Sequence, residues 1–326
     1  MIKPVLAIHG GAGAIAREQT APEVRERYEG ALRQILEGAG AILAGGGTAL
    51  DAVTEAVRLL EECPLFNAGQ GAVFTRAGTH ELDASIMDGS TLQSGAVAGV
   101  SIVRNPVLAA RAVMEQGPYV FLIGPGAETF AHTQGLECVD PTFFSTEARR
   151  NELKRAQAAG DAMVLDHDGQ SRAPVGATAT STMAPLDEER KLGTVGAVAL
   201  DRHGNLAAAT STGGLTNKHP GRVGDTPLIG AGCYANNHTC AVSTTGTGET
   251  FIRMVAAYDV SAQMEYGGRS LDEAAGVVVH EKLPTLGGNG GLIAVDSKGN
   301  VSLPFNTGGM YRGYIRDGEK AWVAIH

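Results

Sequence analysis

KLGTVGAVALD, residues 191–201, sets a threonine between two glycines at the head of an apolar run, in the middle of a chain of 326 residues. Read alone, G-T-V-G-A-V is a strand entered through a glycine. Its surroundings argue for more. Residues 160–193 are rich in Ala, Thr, Ser, Pro, Gly and charge without lasting periodicity, which predicts a flexible linker. A structureless stretch of that length inside a compact protein usually serves function or processing. It ends at Thr194, where Gly193 leaves the preceding peptide free to adopt strained geometry with little steric shielding.

A threonine hydroxyl is a weak nucleophile without an adjacent base. An N-terminal threonine carries one in its own α-amine, whose ordinary pKa of ~7.7–8.0 lies close to working pH. Generating that amine requires a cut between Gly193 and Thr194. The same hydroxyl can make the cut by attacking the Gly193 carbonyl, an N-to-O acyl shift followed by hydrolysis of the ester.

Outward from this point the chain divides into two halves of one α/β unit. Pro4 to Ile8 reads as a buried strand entering a tight turn at His9-Gly10-Gly11-Ala12-Gly13. Helical periodicity spans 22–44, and Thr48 to Asp51 resembles a capping box opening a second helix to about 62. The loop CPLFNAGQGAVF (63–74) is followed by strands at 81–88 and 92–103, then helices near 105–116, 126–135 and 145–158. Beyond the linker, GAVALDRHGNLAAATSTGG (196–214) matches GLIAVDSKGNVSLPFNTGG (291–309) at five places, each copy reading as strand, D-x-x-G-N turn, strand. Helices at about 248–265 and 271–283 lie between the copies. Hairpins flanking helix pairs point to sheets stacked between helix layers, an α+β sandwich rather than a doubly wound sheet.

Composition narrows the function. Lys and Arg number 26 against 35 Asp and Glu, and the net charge of −9 disfavours broad binding to nucleic acid or anionic membrane. No stretch reaches the ~18 apolar residues of a membrane span, and the N-terminus lacks a signal-peptide pattern, so a cytoplasmic protein is expected. The four cysteines, Cys63, Cys138, Cys233 and Cys240, show no C-x-x-C spacing and read as reduced thiols, with neither disulfide nor zinc expected.

Six motifs in order, HGGAG (9–13), LFNAGQGAVF (65–74), GTVGAVALD (193–201), TSTGG (210–214), GRVGD (221–225) and TTGTGE (244–249), resemble the plant-type asparaginase and isoaspartyl peptidase family of N-terminal-nucleophile hydrolases. The resemblance covers nearly the whole chain. It implies a four-layer αββα sandwich forming one structural domain and a self-cut into an α subunit (1–193) and a β subunit (194–326). It also implies a dimer of such αβ heterodimers. Thr194 becomes the nucleophile and new N-terminus. The implied reaction removes β-aspartyl residues from isoaspartyl dipeptides and deamidates L-asparagine, without a cofactor for catalysis. Glycosylasparaginases and taspase-like proteases, the nearest rivals, usually have Asp where this chain has Gly193. A rival of another class is a non-catalytic Gly-rich binding protein using HGGAG and TTGTGE as anion loops.

Taken alone, Arg222 and Asp225 form a surface ion pair. In context the guanidinium fork suits an α-carboxylate and the carboxylate an α-ammonium, presenting a side-chain carbonyl to Thr194. Thr245-Gly246 alone is a helix cap; the resemblance assigns the Thr245 hydroxyl and Gly246 N–H to the oxyanion hole and places Gly248 in the substrate site. Thr212 reads as a turn cap, as does its repeat partner Thr307, and by resemblance tunes the Thr194 amine. Asn67 reads as a turn residue, and by resemblance contacts the nucleophile's surroundings. The resemblance further implies a structural Na⁺ held by backbone carbonyls of Leu60, Glu61, Cys63, Phe66, Ala68 and Gln70, oxygen ligands suited to a hard cation. His9 reads as a buried structural histidine.

Overall fold

The computed structural model describes residues 3–13, 21–158 and 193–326. All of the expected linker except Gly193 lies outside these residues. Before it come strands β1 (Val5–Gly13), β2 (Leu82–Asp88), β3 (Ser94–Val100) and β4 (Phe121–Ile123). The helices of this half are α1 (Pro22–Ala44), α2 (Ala49–Glu61), α3 (Pro106–Gln116), α4 (Gly124–Thr133) and α5 (Glu147–Ala158). After it come β5 (Val195–Leu200), β6 (Leu206–Thr212), β7 (Cys233–Ala235) and β8 (Cys240–Gly246). Helices α6 (Gly248–Met254), α7 (Ala256–Glu265), α8 (Leu271–Gly276) and α9 (Leu283–Thr285) follow, with a π-helical segment, Val277–Lys282, joining the last two. The chain closes with β9 (Gly290–Asp296), β10 (Val301–Ser302), β11 (Gly309–Arg316) and β12 (Trp322–Ala324).

Period-two alternation in the strands divides the apolar residues among three cores. Leu6 and Ile8 of β1, Val195, Ala197 and Ala199 of β5, and Ala207 and Ala209 of β6 face α1, α2 and α3. The intervening Val5, Ala7, Val198, Leu200, Leu206 and Ala208 face the second sheet, meeting Ala241, Ile293 and Val295 of β8 and β9. On that sheet's far side Cys240, Val242, Leu292 and Ala294 pack on α7 and α8. Three cores between four layers make the αββα sandwich expected from the resemblance. The large sheet runs β12-β11-β1-β5-β6-β2-β3-β4 and the small one β10-β9-β8-β7. Among the described strands every ladder is antiparallel except that of β3 with β4.

The internal repeat folds twice into the same turn. Asp201 Oδ1 accepts the backbone N–H groups of His203 and Asn205, and Asp296 Oδ1 those of Lys298 and Asn300. Gly204 and Gly299 take φ of 85° and 82°, the left-handed conformation glycine adopts without steric cost. The copies then diverge: β6 continues for seven residues, whereas β10 stops after two, because Pro304 cannot donate to a ladder.

Three expectations are corrected. HGGAG is not a turn: β1 runs on to Gly13 through a register shift between His9 and Gly11, so a bulge does the bending. The helix expected over 248–265 breaks at Val255, whose φ of 51° ends α6 and starts α7. The capping box at Thr48 is half formed. Its hydroxyl accepts the Asp51 N–H at 3.1 Å, but the Asp51 carboxylate takes the Thr48 hydroxyl proton at 2.7 Å.

Candidate active site

Thr194 immediately precedes β5, the strand between β1 and β6 in the large sheet. The pairing of Val195 with Ser211 sets it beside Thr212 at the sheet end. Only 6% of Thr194 is exposed, and its Oγ1 lies 3.2 Å from Oγ1 of Thr226. Gly193 presses on Gly11: a Cβ there would come within 2.9 Å of the Gly193 nitrogen and oxygen. The residue at 11 must therefore be glycine for Gly193 to lie against β1.

His9 sits one pleat deeper. Its Nε2 pairs with the Ser243 hydroxyl at 2.8 Å, and Ser243 pairs with Thr210 at 2.9 Å. Burial pulls the imidazole down to about 3, against a smaller opposing effect of the Thr194 backbone, so the ring is neutral at working pH. This is a structural histidine joining the two sheets. Ser243 reaches the large sheet from β8, and Thr245, two residues on, shares its face. The Thr245 hydroxyl is fully buried and has no hydrogen-bond partner among the described residues. An unpaired buried donor is costly unless something else uses it.

Arg222 does not pair with Asp225. Its Nε and Nη2 each lie 2.9 Å from Glu249 Oε1, while Asp225 Oδ2 accepts the Thr244 hydroxyl at 2.6 Å. Burial pushes Asp225 up to about 6, with Thr244 and the Arg222 guanidinium pulling the other way. Arg222 and Asp225 nevertheless converge on Gly248. A Cβ at that position would stand 2.9 Å from Asp225 Oδ1 and 3.0 Å from Arg222 Nη2. Glycine keeps the space between cation and carboxylate open.

Asn67 and Thr212 are brought to the same sheet end as structural ties. Asn67 Nδ2 donates to the Gly214 carbonyl at 2.8 Å and its Oδ1 accepts from Val73 N–H at 2.9 Å, fastening the 63–74 loop to TSTGG. Thr212 Oγ1 accepts from Gly214 N–H at 3.0 Å, the turn-capping role. In the loop itself the Glu61 and Cys63 carbonyls accept the N–H groups of Gln70 and Phe66. A Cβ at Gly71 would lie 2.7 Å from the Pro64 oxygen and 2.8 Å from that of Phe66. Each carbonyl oxygen has a second lone pair beyond the one an N–H takes, so carbonyls of this kind are ligands of the type an alkali cation accepts.

The sequence matches the asparaginase family over residues 2–325. It is 62% identical over 326 residues to the isoaspartyl peptidase of Salmonella typhimurium, covering all of this chain and 99% of that protein. Identity to the Escherichia coli isoaspartyl peptidase is also 62%, over 100% and 97% of the two chains. The chain belongs to the asparaginase family. A probable isoaspartyl peptidase/L-asparaginase 2 of Arabidopsis thaliana is 43% identical over 98% of each chain, so the likeness to the asparaginase family extends beyond bacteria.

Within this asparaginase-family site several residues went unread in the sequence. Thr226 follows Asp225 directly, and a hydroxyl next to a buried carboxylate was the available signal. Glu249, the final residue of TTGTGE, partners Arg222. The Glu61 side chain does separate work from its carbonyl. Its Oε1 accepts the Ser211 hydroxyl at 2.7 Å and Val107 N–H at 3.0 Å, and burial pushes the carboxyl up to about 8.

Proposed function

We propose that this chain is a self-cleaving threonine hydrolase that releases aspartate from β-aspartyl dipeptides and from L-asparagine. The observation that carries the reading is a threonine after a glycine at the end of a central strand, within a site whose Arg222 and Asp225 flank an open glycine. The names of the relatives, isoaspartyl peptidase and isoaspartyl peptidase/L-asparaginase, agree with it.

In the uncut chain the Thr194 hydroxyl attacks the Gly193 carbonyl, the C–N bond breaks, and the proton passes to the freed amine; water then hydrolyses the ester. Substrate enters with its α-carboxylate on Arg222, displacing Glu249, and its α-ammonium on Asp225. The Thr194 amine takes the hydroxyl proton as Oγ1 attacks the β-carbonyl. Thr245 Oγ1 and Gly246 N–H receive the developing oxyanion, where one lost donor costs on the order of 10²–10³ in rate. The amine passes the proton to the leaving nitrogen, and water releases aspartate. Thr212 and Asn67 hold the turn beside the amine. Carbonyls of Leu60, Glu61, Cys63, Phe66, Ala68 and Gln70 would hold a Na⁺ that stiffens the loop under Asn67. A dimer of αβ heterodimers in the cytoplasm completes the reading.

Intact mass under denaturing conditions, paired with an assay of a β-aspartyl dipeptide, tests it. Two fragments split between Gly193 and Thr194 and release of free aspartate are expected, with Thr194→Ala remaining one chain. A single persistent chain that leaves the dipeptide intact would refute the proposal, and turnover confined to glycosylated asparagine would move the activity to the glycosylasparaginase class.

A further inference from the structure

Thr226 is 32 residues from Thr194 in sequence, yet its hydroxyl is the side-chain partner of the proposed nucleophile, at 3.2 Å. It is held there firmly. The Ser85 hydroxyl of β2 donates to the Thr226 carbonyl at 2.5 Å, and the preceding Asp225 carbonyl accepts Leu228 N–H at 2.9 Å, closing a turn around the residue. Only 1% of Thr226 is exposed. With its backbone fixed to the large sheet and Asp225 fixed to β8 through Thr244, this one dipeptide serves two places. Asp225 faces the substrate head, and Thr226 faces the attacking oxygen.

Either hydroxyl of such a pair can donate, but the chemistry selects one. If Thr194 donated to Thr226, its proton would point away from the amine that has to receive it. Building on the proposed threonine-hydrolase reading, we infer that Thr226 is a catalytic residue whose hydroxyl donates to Thr194 Oγ1, aiming the Thr194 proton at the amine and stabilising charge on that oxygen. In acylation the Oγ1–C bond forms, the substrate C–N bond breaks, and the Thr194 proton travels through the amine to the leaving nitrogen. In deacylation water supplies the hydroxyl to the acyl carbon and a proton returns to Oγ1. Thr226 neither gains nor loses a proton in either step. The same donation orients the hydroxyl toward the Gly193 carbonyl before the chain is cut, so one residue serves maturation and turnover.

The test compares Thr226→Val, which keeps the shape and removes the hydroxyl, with Thr226→Ser, which keeps the oxygen. Maturation is followed by intact mass against time, and kcat and KM are measured on a β-aspartyl dipeptide. Thermal midpoints confirm folding, with Thr226→Ala replacing the valine variant if that one is unstable. Loss of one hydrogen bond to the reacting oxygen predicts maturation and kcat slowed about tenfold in Thr226→Val, with KM little changed and most of the loss recovered in Thr226→Ser. Parent-like cutting and turnover in Thr226→Val would overturn the assignment. So would a raised KM at parental kcat, which would place the residue in service of Asp225, or equal damage in both variants, which would make its role one of shape. A parent protein that neither cuts nor hydrolyses brings down the threonine-hydrolase reading and this inference with it, an outcome distinct from a defect confined to the variants.

Discussion

Asp225 illustrates what burial does to a group that, in the proposed function, has to carry charge. To hold an α-ammonium it would have to be ionised, yet burial raises it to about 6, so protons compete for it just below neutrality. The Thr194 amine, once freed, must be neutral, with an ordinary pKa of ~7.7–8.0. Both requirements favour higher pH. The logarithm of kcat/KM is therefore expected to rise with slope about one between pH ~6 and ~8 and about two below pH ~6, since kcat/KM reports groups of the free enzyme. A pH–rate profile checks this, and a single slope of one down to pH 4.5 would remove Asp225 from substrate binding. At this scale the sequence was legible where one short motif places neighbouring residues at the proposed site, as at Gly193-Thr194 or Arg222-Val-Gly-Asp225. It was illegible where the partner comes from another segment. The Thr194 to Thr226 contact joins positions brought together by sheet packing, and Arg222 takes Glu249 of α6 as its partner while Asp225 is held by Thr244 of β8.

At the scale of elements, β5 and β8 must keep a fixed distance, because the proposed nucleophile immediately precedes one and the proposed oxyanion donor lies on the other. The spacer is one pleat in from each end. A Cβ at Gly196 would lie 2.0 Å from Ser243 Oγ and 2.6 Å from His9 Nε2, so glycine lets the serine hydroxyl seat directly on β5. Ser243→Ala leaves His9 and Thr210 buried without that partner. The expected loss is about 1–3 kcal/mol in denaturant unfolding, with kcat falling more than KM changes as Thr245 shifts from Thr194. Gly196→Ala is expected to cost more, since the methyl group must push the sheets apart. A Gly196→Ala protein as stable and active as its parent would show that the sheets tolerate a wider gap. Apolar runs bounded by turns made β1, β2 and β3 readable, and the D-x-x-G-N repeat made the two hairpins readable, whereas β4, β7, β8, β11 and β12 went unread. The end of β1 was not readable, because glycines that signal a turn serve equally for a bulge and for close approach of Gly193. Nor was the break at Val255, where a β-branched residue at φ 51° is a conformation no propensity favours.

Across the whole molecule, the order β12-β11-β1-β5-β6-β2-β3-β4 interleaves segments from the two sides of Thr194. Strand β1 is paired on one side with β11 and on the other with β5, both from beyond the proposed cut, and β2 pairs with β6. No local signal in the sequence announces these pairings, which depend on which apolar faces meet when the layers stack. Their consequence is that a cut between Gly193 and Thr194 removes no strand pairing described here, while it changes the unfolded state from one chain to two. Unfolding of the cut protein then gains a molecule for every copy that melts, and its midpoint must rise with protein concentration more steeply than that of uncut Thr194→Ala. Any subunit association common to both forms contributes equally and cancels in the comparison. Thermal melts over a hundredfold concentration range measure it, alongside native chromatography in which both fragments are expected to travel together. Equal concentration dependence in the two proteins would mean that the fragments part only after the transition, and that the interleaved sheet does not unfold as one unit.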